Sequence, residues 1–364
     1  DVLHFVGKLD DAEIRLQEAL ALARESSDQP SMARCNLQLG RLWHGRSAFP
    51  KALTFLAEAV TIFTAVNNPD GLCETQTVIG ECYYYQGRYS EAEAALNNSL
   101  ALAHELNNQQ KIAAALNHLG RVAFDQGDYE LARKRYEESL TYSQALDDKV
   151  KMATTIHNLG ILASYRGDVT TTRTHYEKAL AIRREIGDRA GVGASLNNLG
   201  ILARDAGEYD KAISLYQEAL RIDTEIGDKR AMAYPLKNLG VVALDLEKYD
   251  EAHDYYARAL ALRQEVGDKW GVVSVLSSMG DVASAQKRYS QAAHFYGTSL
   301  RLNQEIGDQS HNMHNLYGLA SVAANQPPRR EENLRRAAKI IGFLQGALPE
   351  TGIMPQVWLQ QEYD

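Results

Sequence analysis

Apolar and polar positions along the chain follow a helical pattern that repeats every forty residues. Within each repeat, apolar residues recur three and four positions apart, which is typical of the buried face of an α-helix. In the first full repeat the pattern predicts a helix A over residues 30–46 and a helix B over 50–66. A glycine preceded by Leu, Ile or Met marks the same position of each helix A, at 40, 80, 120, 160, 200, 240 and 280. The sequence therefore predicts an all-α fold built from helix pairs.

Small and aromatic residues occupy fixed positions of the predicted helices B. A small side chain follows each helix-A glycine by twelve residues, at Ala52, Ala92, Ala132, Thr172, Ala212, Ala252 and Ala292. Small residues at a helix crossing let the two axes approach closely, so we expect A and B to pack tightly. Tyrosines recur four positions later, and we expect them to be core residues, at 136, 176, 216, 256 and 296.

The connections between helices also repeat. The B-to-A junctions place Gly187, Gly227, Gly267 and Gly307 where earlier repeats have Asn67, Asn107 and Asp147. These residue types tolerate the left-handed backbone that often ends a helix, and the Asp or Asn that follows can cap the next helix. The predicted A-to-B turns carry glycine at 7, 87, 127, 167 and 207. Two residues after this turn position, five repeats carry a tyrosine that is expected to seal the hinge, at 89, 129, 209, 249 and 289.

The Leu-Gly step and the Ala-x3-Tyr spacing resemble the tetratricopeptide repeat pattern. The resemblance implies a right-handed α-α superhelix of about eight helix-turn-helix repeats over residues 1–325, with a truncated first repeat, seven full ones and the start of an eighth. Residues 326–364 depart from the register and are expected to form a divergent capping helix and tail. The forty-residue variant, with "LNNLG" and "EIGD", resembles kinesin light chains, Pins-type adaptors and bacterial signal-transduction ATPase regulators, and the tail "LRRAAKIIGFLQGALPETGIMP" is similar to the last group.

The composition of the chain excludes some classes of binding partner. The net charge is −8, with acidic and basic residues interleaved, which argues against a surface that binds nucleic acid or anionic lipid. Three cysteines form no disulfide framework, so we expect a reducing, cytoplasmic setting, and no apolar run approaches the length of a membrane span. The chain opens with Asp1 inside a helical pattern, and we expect it to be part of a longer protein.

Enzyme and metal signatures are absent from the sequence. It contains no phosphate-binding loop motif, no H-E-x-x-H and no G-x-S-x-G, and its glycines punctuate the repeats. None of the ten histidines forms an H-x3-H pair, so His118 and His157 are expected to be polar groove residues that bind no metal. We therefore predict a non-catalytic protein without a cofactor.

The resemblance further implies that the helices A line a concave face that binds a protein or peptide. Amide side chains offer both donors and acceptors to a peptide backbone, and aromatic side chains anchor apolar groups. In the resembling families, Asn at the step before Leu-Gly often holds a bound peptide. The implied binding residues are Tyr84, Tyr85, Asn117, His118, Arg121, Phe124, His157, Asn158, Tyr165, Asn197, Asn198, Arg204, Tyr234 and Asn238.

Two alternatives remain open at this point. Each Asn could instead bond to the neighbouring helix A and hold the repeats in register. The protein as a whole is expected to be the sensor or interaction region of a larger bacterial regulator, with a nucleotide-binding domain of the same full-length chain as a further partner. The alternative is a constitutive adaptor that binds helical or extended peptides of partner proteins.

Overall fold

A computed structural model of the chain describes residues 2–306, 312–325 and 335, with side chains from residue 10 onward. Sixteen helices and no strand occur in this part of the chain, which confirms the all-α prediction. They are α1 Val2–Glu25, α2 Gln29–Gly45, α3 Phe49–Ala65, α4 Pro69–Tyr85, α5 Tyr89–Glu105, α6 Gln109–Asp125, α7 Tyr129–Ala145, α8 Lys149–Tyr165, α9 Val169–Glu185, α10 Arg189–Asp205, α11 Tyr209–Ile226, α12 Lys229–Asp245, α13 Tyr249–Glu265, α14 Lys269–Ala285, α15 Tyr289–Ile306 and α16 Asn312–Asn325.

The described residues fall into two compact units that divide between Ser195 and Leu196, inside α10. In the first unit α2, α4, α6 and α8 are helices A, and each packs on the helix B that follows it. In the second unit α12 and α14 pack on α13 and α15 in the same way. Successive helices A also contact one another within each unit. In each unit their outward side chains therefore form a continuous surface, which we call the helix-A face of that unit.

Close A–B packing depends on the helix-A glycines. A Cβ atom added to Gly240 would lie 2.6 Å from Cε1 of Tyr256, and the same atom on Gly200 would lie 2.5 Å from Cε1 of Tyr216. Both rings are fully buried. The small helix-B residues predicted at the crossings are buried as well, and so are the five core tyrosines. The glycine provides the space that the ring of the paired helix fills.

The turns have the backbone geometry that the sequence predicts. At the B-to-A junctions φ is positive at Asn67, Asn107 and Asp147 as well as at the glycines 187, 227 and 267. The next residue caps the following helix: Oδ1 of Asp188, for example, accepts a hydrogen bond from the Gly191 N–H at 2.9 Å. Gly307 and, apart from residue 335, the predicted capping segment 326–364 lie outside the described residues.

One predicted turn is wrong. The sequence places an A-to-B turn at Gly7, but α1 is a continuous helix from Val2 to Glu25 and passes through this glycine. A continuous helix keeps the backbone hydrogen bonds around Gly7 within one segment, which outweighs the cost of a helical glycine.

Candidate functional site: the helix-A face

The amide side chains predicted to bind a ligand join neighbouring helices A. In the first unit, Nδ2 of Asn158 donates to Oδ1 of Asn117 at 3.3 Å, and Nδ2 of Asn117 donates to Oγ1 of Thr155 at 2.9 Å. In the second unit, Nδ2 of Asn238 donates to Oδ1 of Asn197 at 2.9 Å. All four amides are half-buried at the helix-A face. An amide has two N–H donors and an oxygen with two lone pairs, so these bonds leave capacity for a ligand.

Aromatic residues cluster where the helices A end. The Arg121 guanidinium lies 4.4 Å from the ring centroid of Tyr84 and 5.6 Å from that of Tyr85, within the range of a cation–π interaction. Tyr85 also stacks on Phe49, with centroids 5.8 Å apart and planes 4° apart. Burial raises the pKa of Tyr84 to about 12, so its phenol stays neutral and can donate a hydrogen bond. This end of the face therefore offers apolar area with polar groups at its edge.

A second aromatic cluster lies further along the first unit. The Tyr165 ring meets Phe124 edge-on, with centroids 4.8 Å apart, and lies 6.3 Å from Tyr129. Tyr165 is 68% exposed, although a tyrosine is a large amphipathic residue that usually finds a partner. The hinge tyrosines Tyr89 and Tyr129 contact the aromatic ends of their own helices A, as the sequence predicts.

The two histidines predicted for the face are both neutral at pH 7. Burial lowers the pKa of His118 despite Glu81, whose Oε1 lies 3.5 Å from His118 Nε2. Burial also lowers the pKa of His157, to about 4, and its ring lies 5.3 Å from that of Tyr176. Among the residues that the structure describes, no group of three His, Cys, Asp or Glu side chains could hold a metal ion.

Two cavities open on the helix-A face of the first unit. The larger, about 460 Å³, is lined by residues of α2, α4, α6 and α8: Arg41, His44, Cys73, Glu74, Thr77, Val78, Glu81, Gln110, Lys111, Ala114 and Lys151. The smaller, about 300 Å³, is lined by Ala113, Ala114, Asn117, His118, Arg121, Ser139, Lys151, Thr154, Thr155 and Asn158. Four of the predicted site residues thus come together around the smaller cavity.

In the second unit, several side chains of the helix-A face contact one another or a neighbouring helix. Nζ of Lys237 donates to Oγ of Ser274 at 2.6 Å, and the Tyr234 ring lies under the Arg263 guanidinium at 4.0 Å. Arg204 pairs with Asp205 at 2.6 Å. Asn198, on α10, is half-buried. Tyr234 and Arg204, both predicted to bind a ligand, thus already contact other side chains of this chain.

Buried charged residues near the helix junctions were not predicted. Arg183 and Arg263 are 8% and 4% exposed, although an arginine on a surface helix is usually solvated. Nη1 of Arg183 donates to Oγ of Ser195 at 2.7 Å, and Arg263 pairs with Asp268. A glycine eight residues after each arginine could have predicted this burial. Gly191 leaves the space that Arg183 fills, and Gly271 leaves the space that Arg263 fills.

Comparison with known proteins supports the repeat assignment. The family profile of the tetratricopeptide repeat matches residues 46–105, 71–145, 111–171, 151–225 and 231–305. A profile of anaphase-promoting complex subunit 5 matches only residues 2–46. A search of curated proteins found no match. No helix in the described part of the chain is long and apolar enough to cross a membrane.

Solved structures with the same fold include several bacterial and archaeal proteins. The apo quorum sensor NprR from B. thuringiensis is 15% identical, with a TM-score of 0.62, and the match covers 94% of this chain and all of NprR. A Rap protein complexed with Competence and Sporulation Factor is 14% identical, with a TM-score of 0.60 and coverage of 86% and 87%.

A third structure is a Signal Transduction ATPase with Numerous Domains (STAND) protein from Pyrococcus horikoshii that has a tetratricopeptide repeat sensor. It is 16% identical with a TM-score of 0.64, and the match covers 93% of this chain and 53% of the ATPase. At these identities the likeness establishes the fold alone, whereas the family profile covers most of the sequence. Repeats of this family generally form non-catalytic interaction modules. From the profile match, this chain belongs to the tetratricopeptide repeat family.

Proposed function

We propose that the chain is a non-catalytic module that binds a peptide or protein segment on its helix-A face. The observation that carries the proposal is the pair of cavities on the first unit, which are lined by amides, hydroxyls and charged groups from successive helices A. Pockets of this kind, with polar groups converging on a recess, are the usual sites of ligand binding. Exposed Tyr85 and Tyr165, at the ends of α4 and α8, supply aromatic anchors.

The similar structures support a role in signalling. One Rap structure contains a bound factor, and the archaeal ATPase carries its tetratricopeptide repeats as a sensor. We propose by analogy that this chain is the cytoplasmic sensor region of a larger regulator, and that a nucleotide-binding domain of the full-length protein is its second partner. The analogy rests on fold, and the ligand chemistry has to come from the residues of this chain.

The proposal is tested with a library of random twelve-residue peptides, acetylated and amidated at their ends, screened against the immobilised chain. Asn158→Ala removes an amide from the smaller cavity and should weaken the selected peptides about three- to tenfold, the effect of one neutral hydrogen bond. Asn98→Ala is the matched control, because Asn98 is exposed on a helix B. Failure to select any peptide, or equal binding by both variants, would refute binding at this face.

A further inference from the structure

The helix α16 packs on α14 and α15 with little apolar burial of its own. Three of its residues are buried, Asn315, Ala320 and Val322, against nine of α14. The first of these is polar, and its Nδ2 donates to the buried Oγ of Ser299 on α15 at 2.9 Å. The equivalent residue of α14, forty positions earlier, is Val275. Polar contacts therefore contribute more to the attachment of α16 than to that of an inner helix A.

A single carboxylate joins α14, α15 and α16. Oδ1 of Asp281, on α14, accepts a hydrogen bond from the Tyr296 hydroxyl of α15 at 2.7 Å. The same oxygen lies 3.0 Å from Nε2 of His314 on α16, and Oδ2 lies 3.2 Å from that nitrogen. The rings of His314 and Tyr296 also meet at a steep angle, with centroids 6.2 Å apart and planes 72° apart. Protonation of His314 makes its contact with Asp281 an ion pair.

The docked α16 covers the ring of Tyr296. A Cβ atom added to Gly318 would lie 2.5 Å from Cζ of this ring, and one added to Gly280 of α14 would lie 2.5 Å from its Cε1. The ring thus fills the space between two glycines and is 2% exposed. Gly318 lies four residues after His314, about one helical turn, so both residues are on the same side of α16. The contact with Asp281 therefore holds the part of α16 that buries the ring.

His314 is the group through which pH near neutrality can act on α16. The sequence of this helix contains no Asp, Glu, Lys or Arg. The groups that act on His314 from the neighbouring helices are Asp281 and, from α12, Lys237. Burial by itself lowers the pKa of His314, but the hydrogen bond and the charge of Asp281 outweigh burial and Lys237, and raise this pKa above its usual 6.5. The surroundings therefore favour the imidazolium over the neutral ring.

We propose that His314 and Asp281 form a pH-sensitive latch, which holds α16 on the second unit while His314 is protonated. The latch does not depend on the peptide-binding function proposed above. A group whose pKa is higher in the docked state stabilises that state fully below its undocked pKa, about 6.5 for histidine, and loses this stabilisation as pH rises through the docked value. Opening of α16 uncovers Tyr296, so pH controls access to an apolar surface of α14 and α15.

Hydrogen exchange of the intact chain between about pH 6 and pH 8.5 tests the latch, with each rate expressed as protection relative to an unstructured amide at the same pH. Protection in α16 should fall about five- to tenfold across this range, the difference between a charge-assisted and a neutral hydrogen bond. Protection in α13 should not change. A titration of the His314 Cε1–H resonance by NMR should give a pKa above about 6.5.

Two matched substitutions locate the effect. His314→Gln keeps a donor for Asp281 but cannot titrate, so protection of α16 should become independent of pH. His294→Gln removes an imidazole from an exposed position of α15 and should keep the full pH dependence. Asp281→Asn should lower the pKa of His314 in the NMR titration.

Three results would overturn the latch. The first is protection of α16 that stays constant across the pH range in the unmodified chain. The second is a pH dependence that persists in His314→Gln or disappears in His294→Gln. The third is a His314 pKa at or below about 6.5, because charge would then not favour docking. These measurements need no substitution at Asp281, so they decide the question even if Asp281→Asn prevents α16 from docking.

Discussion

Replacing Gly240 by alanine tests whether the helix-A glycine controls repeat packing. The added Cβ would lie 2.6, 2.8 and 2.9 Å from three ring atoms of Tyr256, where ordinary contacts are 3.4 Å or longer. The ring cannot avoid all three contacts by rotating about its axis, and it is completely buried against Ala243, Ala252 and Met279. The substitution must therefore displace the ring or separate α12 from α13.

The size of the effect follows from two opposing contributions. Overpacking a well-filled core costs about 1–3 kcal/mol, and three simultaneous close contacts place this site near the upper end. Alanine has a higher helix propensity than glycine, which offsets about 1 kcal/mol of this cost. We therefore expect Gly240→Ala to lower the free energy of unfolding by about 2 kcal/mol.

Gly297 on α15 provides the matched control. A Cβ added there meets nothing within 4 Å, so Gly297→Ala should stabilise the protein by about 0.5–1 kcal/mol. In a Tyr256→Ala background the clash disappears, and Gly240→Ala should then stabilise as well. Urea unfolding followed by circular dichroism measures the free energies, and hydrogen exchange should show faster opening of α12 and α13 in the single variant. A stabilising effect of Gly240→Ala in the unmodified background would refute the reasoning.

Three further substitutions test other parts of the fold. Burial, aided by the charge of Asp228, raises the pKa of Asp223 from 3.8 to about 6, so its ionisation lowers stability as pH rises between these two values and the full penalty is present above about 6. Asp223→Asn should therefore stabilise the chain by about 1–3 kcal/mol at pH 8 and have little effect near pH 4, and a pH-independent effect in thermal unfolding would contradict this. Gly227 has φ of 78°, so Gly227→Ala should cost about 1–2 kcal/mol in urea unfolding, and Gly227→Asn should cost less. Asp268→Ala removes both a helix cap and the partner of buried Arg263, and should cost about 3–5 kcal/mol, whereas a loss below 1 kcal/mol would show that Arg263 needs no partner.

Much of the fold is predictable because each repeat encodes the same local physics. The helical spacing of apolar residues, the helix-A glycine and the helix-capping residue recur together in each repeat. The predicted helices at residues 30–46 and 50–66 therefore agree with α2 and α3 to within one residue at each end. Local consistency of this kind leaves little room for another fold. The Gly7 turn failed because a single glycine does not by itself end a helix, and α1 continues through it with its backbone hydrogen bonds intact.

The site is less predictable because its chemistry depends on contacts between repeats. The sequence places Asn117 three residues before Gly120 and Asn158 two residues before Gly160, but only the structure shows that one amide bonds to the other. Arg183 gives a similar case, since its burial depends on a glycine in the next helix. The cavities likewise result from side chains of three or four helices and have no signature in any single repeat.

Hydrogen exchange of the chain with and without a selected peptide tests the central claim most directly. Each backbone segment reports its own protection, so the experiment locates the ligand without relying on a substitution. We predict that bound peptide slows exchange in the first turns of α6 and α8 and leaves the exposed surface of α7 unchanged. Protection confined to the helices B, or an unchanged pattern at saturating peptide, would contradict binding on the helix-A face.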